Sequence, residues 1–180
     1  MAVFALCAAV HAAASPSPLP PEPDRVLARE IFKELIEINT THEHGSTEAA
    51  QAIRRRLLAA DFAEDDLTFI APTDRPAKGN LVVRYRGKKG SAKPILFLGH
   101  LDVVEAKAAD WSMDPFKLTE KDGWLYGRGT VDMKNGDAAL VESLIRLKRE
   151  HFTPPRDLIA AFTADEEAGL LQRSAELRRI

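Results

Sequence analysis

The sequence predicts an α/β fold with a largely parallel central sheet, and three observations predict it. Two amphipathic helical stretches open the chain's ordered part. Two continuous apolar runs, at 95–99 and 158–162, have the character of strands covered on both faces. A third helical stretch lies between those runs, the alternation that builds a layered α/β domain. The 180 residues, 45% hydrophobic and 29% charged, can bury the core such a domain needs. With 25 Lys+Arg against 27 Asp+Glu the formal charge is -2, which excludes the basic footprint of a dedicated nucleic-acid binder.

The elements follow in order. Residues 2–14 are an uncharged run with the length of a signal-peptide core, too short to span a bilayer as a helix. Ala12-Ala13-Ala14 supplies a small-residue cleavage pattern, so residues 1–14 are expected to be a signal peptide and the protein secreted or periplasmic, with no membrane span. Residues 15–23, with five of the eleven prolines, read as a stiff linker. Cys7 is the single cysteine, which excludes an intrachain disulfide and a cysteine-rich zinc site. Asp24 is the expected N-cap of the first helix, whose stripe is Leu27, Ile31, Leu35 and Ile38. A second helix is expected from Ser46 or Thr47 to Ala60, burying Ala49, Ile53 and Leu57.

Residues 71–79, with Pro72 and Pro76, read as a loop. Residues 81–86 form a β-rich strand that stops at Gly87, and 95–99 form the next. A short strand is expected near Trp124-Leu125-Tyr126. A helix over 137–150 sets Ala138, Val141, Leu144, Ile145 and Leu147 on one side, and Pro154-Pro155 separates it from the strand at 158–162. The sequence has no internal repeat.

In open α/β sheets, sites collect beyond the carboxyl ends of strands. Here the first apolar run leads into His100-Leu101-Asp102 and the second into Asp165-Glu166-Glu167. Between them lies a glycine-dense turn, 127–136, that holds Asp132. Each piece alone is weak. A His-x-Asp is most often a surface pair, and a Glu pair is most often solvated charge. The turn lacks both the ending of a phosphate loop and the third glycine of a dinucleotide fingerprint. Together, at one sheet edge, an imidazole and several carboxylates suit a divalent cation, and without a thiolate zinc on N and O ligands leads. His42, His44 and His151 read as loop or helix-end residues, Trp111 and Phe116 as packing of a long loop, and Arg54-Arg55-Arg56 as a solvated helix face.

The linked motifs carry a resemblance. They are Gly99-His100-Leu101-Asp102-Val103-Val104, Trp111 with Asp114-Pro115-Phe116, Asp122-Gly123, Tyr126-Gly127-Arg128-Gly129, Asp132-Met133-Lys134 and Asp165-Glu166-Glu167-Ala168-Gly169. This set resembles the M20 metallopeptidases, a family that includes glutamate carboxypeptidases, acetylornithine deacetylase, succinyl-diaminopimelate desuccinylase and aminoacylases. The resemblance spans 24–169 and implies a three-layer zinc-exopeptidase-like catalytic domain. It implies a two-zinc site, with Co2+ or Mn2+ as substitutes, that cleaves an amide next to a free carboxylate in a small peptide or N-acyl amino acid. By the same resemblance His100 ligates one metal, Asp132 bridges both and Glu167 ligates the other. Asp102 orients the His100 imidazole, Glu166 is the general base, and the Asp132–Met133 peptide is cis.

The sequence also departs from the family. Complete members add an acidic ligand after the Glu pair and a much later histidine, and they dimerise through a lid domain. Here no histidine follows His151, and 170–180 reads as an aberrant tail. The expectation is therefore a frameshifted or incomplete gene product, inactive as it stands. The alternative is a non-catalytic remnant with weak metal- or peptide-binding ability, and a homodimer would require the lid.

Overall fold

The computed structural model describes residues 19–90 and 92–167, so the expected signal peptide at 1–14 and the tail at 170–180 lie outside the described residues. Helix α1 (Glu22–Glu37) starts ahead of the expected Asp24 cap and inside the expected linker, because Pro23 in its first turn is pre-set for helical φ. Asp24 is instead buried within that turn. Its carboxylate pairs with Arg149 and lies 3.6 Å from Arg146, tying the start of α1 to the end of the helix that closes at Arg149. Helix α2 (Thr47–Ala59) buries Ala49, Ile53 and Leu57 as the periodicity predicts. A short strand β1 (Leu67–Ile70), which has no clear sequence pattern, follows a 3-10 turn.

The remaining elements are β2 (Asn80–Tyr85), β3 (Ile95–His100), β4 (Thr119–Lys121), β5 (Trp124–Tyr126), α3 (Lys134–Arg149) and β6 (Leu158–Thr163). β4 and β5 form a separate hairpin whose turn residues Asp122 and Gly123 both have positive φ, 54° and 79°, as a tight hairpin turn requires. The main sheet has the order β1-β2-β6-β3. Only β3 and β6 run parallel, while β1–β2 and β2–β6 are antiparallel. The α/β class therefore stands, but the sheet is mixed rather than largely parallel. A parallel neighbour needs a crossover, and α3 between β3 and β6 is the one that serves adjacent strands here.

One face of the sheet carries the core. Cross-strand pairs Leu81↔Phe162 and Val83↔Ala160 point the same way and meet Ile31, Leu35, Ile53, Leu57, Ala138, Val141 and Leu144 from the three helices. On the other face Leu96 and Leu98 are 55% and 65% exposed, and β3 is the outermost strand. The described residues thus supply two of the three expected layers. β3 is not covered on both faces as its composition suggested, and β6 is only half-buried. An unbroken apolar run reports what a strand can bury, not what lies against it.

Lys134 is a charged side chain with no exposure at all. Its ammonium donates to the carbonyls of Leu35 (2.7 Å) and Ile38 (2.9 Å), closing the C-terminal end of α1 where helix carbonyls lack partners. The stem runs beneath Gly129, where φ is +88° and an added Cβ would lie 3.1 Å from Lys134 Cδ. Burial pulls the ammonium down to about 7. Replacing it with a chain of similar shape, Lys134→Met, leaves both carbonyls unpaired. The expected cost is about 2–4 kcal/mol, read as a lower denaturant midpoint at unchanged slope.

Candidate metal centre

The parallel register Gly99↔Phe162 and His100↔Thr163 brings β3 and β6 to an end at one edge of the sheet. A further bond from Leu101 N–H to the Thr163 carbonyl (2.8 Å) carries the pairing one residue beyond β3. His100 ends β3 and Asp102 follows it at this edge, Glu166 and Glu167 follow β6, and Asp132 meets His100 there.

His100 closes β3 and is buried. Its Nδ1 lies 3.1 Å from the backbone carbonyl of Asp102, which fixes the ring proton on Nδ1 and turns Nε2 outward. Nε2 meets Asp132 Oδ1 at 2.9 Å. Asp132 is exposed on the glycine-dense turn, and the peptide that follows it, Asp132–Met133, is cis. The turn is pinned by Arg128, whose backbone N–H donates to the Pro115 carbonyl (2.7 Å) and whose guanidinium lies 5.2 Å from the centre of the Trp111 ring.

Asp102 does more than the sequence suggested. Its carboxylate is 3.6 Å from His100 Nδ1, and its two oxygens accept the backbone N–H groups of Glu166 (3.1 Å) and Glu167 (3.0 Å). One buried side chain therefore spans the ends of both strands. Glu166 and Glu167 are left exposed, and they and His100 each offer a ligand atom within 4.8 Å of the others. His100 thus meets Asp132 through Nε2 and lies near both glutamates, while Asp102 holds the glutamate amides.

Asp165 departs from its neighbours. It was read with them as metal-competent, yet it turns inward to a 2.6 Å ion pair with Lys78. His44 bonds to Thr41 and Asn39 within its own loop, as read. His151 lies just past α3 with φ +52°. Two polar residues with no local signal also serve the edge. Asn80 accepts the Ala164 N–H at 2.9 Å, and Asp137 of α3 lies against β3.

The charges are tightly coupled. The Asp102 carboxylate, and to a lesser extent Asp132, raise the His100 imidazole to about 9 against the opposing effect of burial. Burial works against ionisation of Asp102, but His100 and the two glutamate amides outweigh it and hold that carboxyl below its usual range. Partial burial, with the Asp132 charge added, lifts Glu167 above its usual range. The donors form an N/O set without thiolate, and the backbone bond at Nδ1 frees Nε2 for a ligand. The residues fit a borderline divalent cation such as zinc, cobalt or manganese.

Asp137 sits directly behind this edge. A Cβ on Gly99 would lie 2.1 Å from Asp137 Oδ1, so β3 must have glycine there. Among the described residues neither buried carboxylate oxygen has a hydrogen-bond partner, and burial raises the group to about 7. Between 3.8 in the unfolded chain and about 7 in the folded one, the folded state binds the extra proton, so this group's contribution to stability falls as pH rises. Asp137→Asn removes that dependence. Its thermal midpoint relative to the parent is expected to climb from pH 4 to pH 7, and a gap independent of pH would refute this.

Residues 96–177 match the family model for Peptidase family M20/M25/M40. A probable succinyl-diaminopimelate desuccinylase of Staphylococcus aureus (strain MRSA252) is 54% identical over 80 residues, 43% of this chain and 20% of that protein. The succinyl-diaminopimelate desuccinylase of Dinoroseobacter shibae is 40% identical over 131 residues, 72% of this chain and 32% of that protein. The chain thus spans between 20% and 32% of the length of these curated relatives. Among solved structures, the di-peptidase Dug1p of Saccharomyces cerevisiae superposes with a TM-score of 0.69 at 22% identity, over 86% of this chain and 35% of that one. The M20 family metallo-carboxypeptidase Sso-CP2 of Sulfolobus solfataricus does so with a TM-score of 0.65 at 16% identity, over 79% and 31%. Residues 96–177 thus match Peptidase family M20/M25/M40, and the described residues share the α/β fold of the solved peptidases.

Proposed function

We propose that the edge beyond β3 and β6 is the metal centre of an M20-type hydrolase that cleaves an amide beside a free carboxylate, in a small peptide or N-acyl amino acid. The observation that carries this reading is the grouping of His100 with Glu166 and Glu167, and the approach of His100 Nε2 to Asp132. The relatives named above, desuccinylases and a di-peptidase, support the substrate class.

In this reading His100 holds one zinc, Glu167 the other, and Asp132 both. When bound, the ions act as Lewis acids toward the scissile carbonyl and lower the pKa of bound water. Glu166 is the general base: its carboxylate takes a proton from the attacking water and delivers it to the leaving nitrogen. Asp102, by accepting both glutamate amides, holds the backbone that aims the two carboxylates. One ion would have His100 and Asp132, the other Asp132 and Glu167, fewer protein ligands than the three a catalytic zinc keeps. Held by these side chains alone, metal is expected to bind weakly and to support no turnover. Residues 1–14 we read as an export signal.

A cobalt titration followed by visible absorbance tests the centre. Below about 9 the imidazole is protonated and a cation must displace that proton, so affinity is expected to rise from pH 6.5 to pH 8.5. His100→Ala should weaken binding by about tenfold or more and abolish the pH dependence, while Glu166→Ala leaves affinity nearly unchanged. Parental affinity in His100→Ala would refute the reading.

A further inference from the structure

The turn that presents Glu166 and Glu167 is held at three points. Ala164 N–H bonds to Asn80, the two glutamate amides bond to Asp102, and Asp165 between them is fixed by Lys78. Asp165 has φ +60°, the left-handed region that a non-glycine residue enters only when something holds it. Its side chain is 1% exposed and Lys78 is 6% exposed, so the pair is a buried ion pair.

Each contact of the Lys78 ammonium is short. Nζ donates to Asp165 Oδ1 at 2.6 Å, to the His42 carbonyl at 2.6 Å and to His42 Nδ1 at 3.2 Å. Three donors meet three acceptors, so the group is satisfied. It joins the loop before α2, the start of β2 and the turn after β6, segments far apart in sequence. Stability alone does not call for this arrangement, because well-packed apolar residues commonly replace a buried ion pair at no cost. Charge does. Asp165, Glu166 and Glu167 are consecutive carboxylates beside Asp102, and one cation facing inward sorts them, drawing Asp165 into the interior while its neighbours face His100.

We propose that Lys78 is a positioning residue: through Asp165 it fixes the turn so that Glu166 and Glu167 face His100. This rests on the reading that the two glutamates serve the metal and the attacking water. The same ammonium sets the His42 ring. An ammonium can only donate, so Nδ1 accepts and the ring proton sits on Nε2.

The test uses the metal-free 180-residue protein and measures amide hydrogen exchange at Glu166 and Glu167, with the His42 tautomer read from its ring 15N shifts. Lys78→Met is expected to speed exchange at both amides by about tenfold or more, while Val83 in β2 and Val141 in α3 stay protected. The His42 ring should lose its single tautomer, and Lys78→Arg should recover part of the protection. Should Lys78→Met fail to fold, Asp165→Asn, which keeps the shape and removes the charge, is expected to give the same local loss. Unchanged exchange at Glu166 and Glu167 in these variants overturns the proposal. So does loosened exchange with parental cobalt affinity, which would make Lys78 a structural tie without effect on the site. Absence of cobalt binding by the parent protein refutes the metal reading instead, and the exchange measurement still decides what Lys78 holds.

Discussion

The candidate site depends on one carboxylate. Asp102 follows β3 and accepts the amides of two residues that follow β6, so it fastens together the strand ends from which the metal-competent side chains project. The parallel register of β3 and β6 makes that possible, because only strands running the same way finish side by side. The Asp102 carbonyl meanwhile fixes His100. Without this residue the glutamate turn would be held beside His100 only through Ala164 and Asp165. Its burial is offset by the imidazole and the two N–H groups, which keep it ionised where an unpartnered carboxylate would not be.

The surroundings extend the same logic. Behind the edge, Lys134 and Asp137 are buried ionisable groups with opposite fates. The first is satisfied by two helix carbonyls, and the second has no hydrogen-bond partner. Burial moves both to about 7, from opposite directions. An interior that tolerates such groups so close to a cluster of carboxylates is organised around that cluster rather than for maximum stability, a pattern common where pKa values are tuned for chemistry.

Much of this was legible from sequence because it is local. Apolar runs that end in His100 and in Asp165-Glu166-Glu167 give both the strands and the residues after them. The stripes of α1, α2 and α3 gave buried positions such as Ile31, Ile53 and Val141. What stayed hidden is non-local. Asp24 looks like a helix cap because its partner Arg149 lies 125 residues away. Lys78 looks like an ordinary loop lysine because Asp165 is 87 residues off. The antiparallel placement of β2 against β6 has no signature in either strand, and β1 is too short and too half-buried to stand out. The exposure of β3 depends on neighbours that a strand's own composition does not describe.

That exposure has a colloidal consequence. Among the described residues the sheet has its most apolar strand, β3, at one edge, which offers along a single line both unpaired main-chain groups and side chains that water disfavours. Most proteins blunt such a margin with lysine, proline or a bulge. Within β3 none of these is present, and the first charge lies outside it at Lys93. Two such margins, one from each of two copies, can pair. Dilution, and mild agents that coat apolar surface, should therefore keep it in solution more effectively than added salt, which screens the repulsion between charged neighbours and strengthens apolar contact.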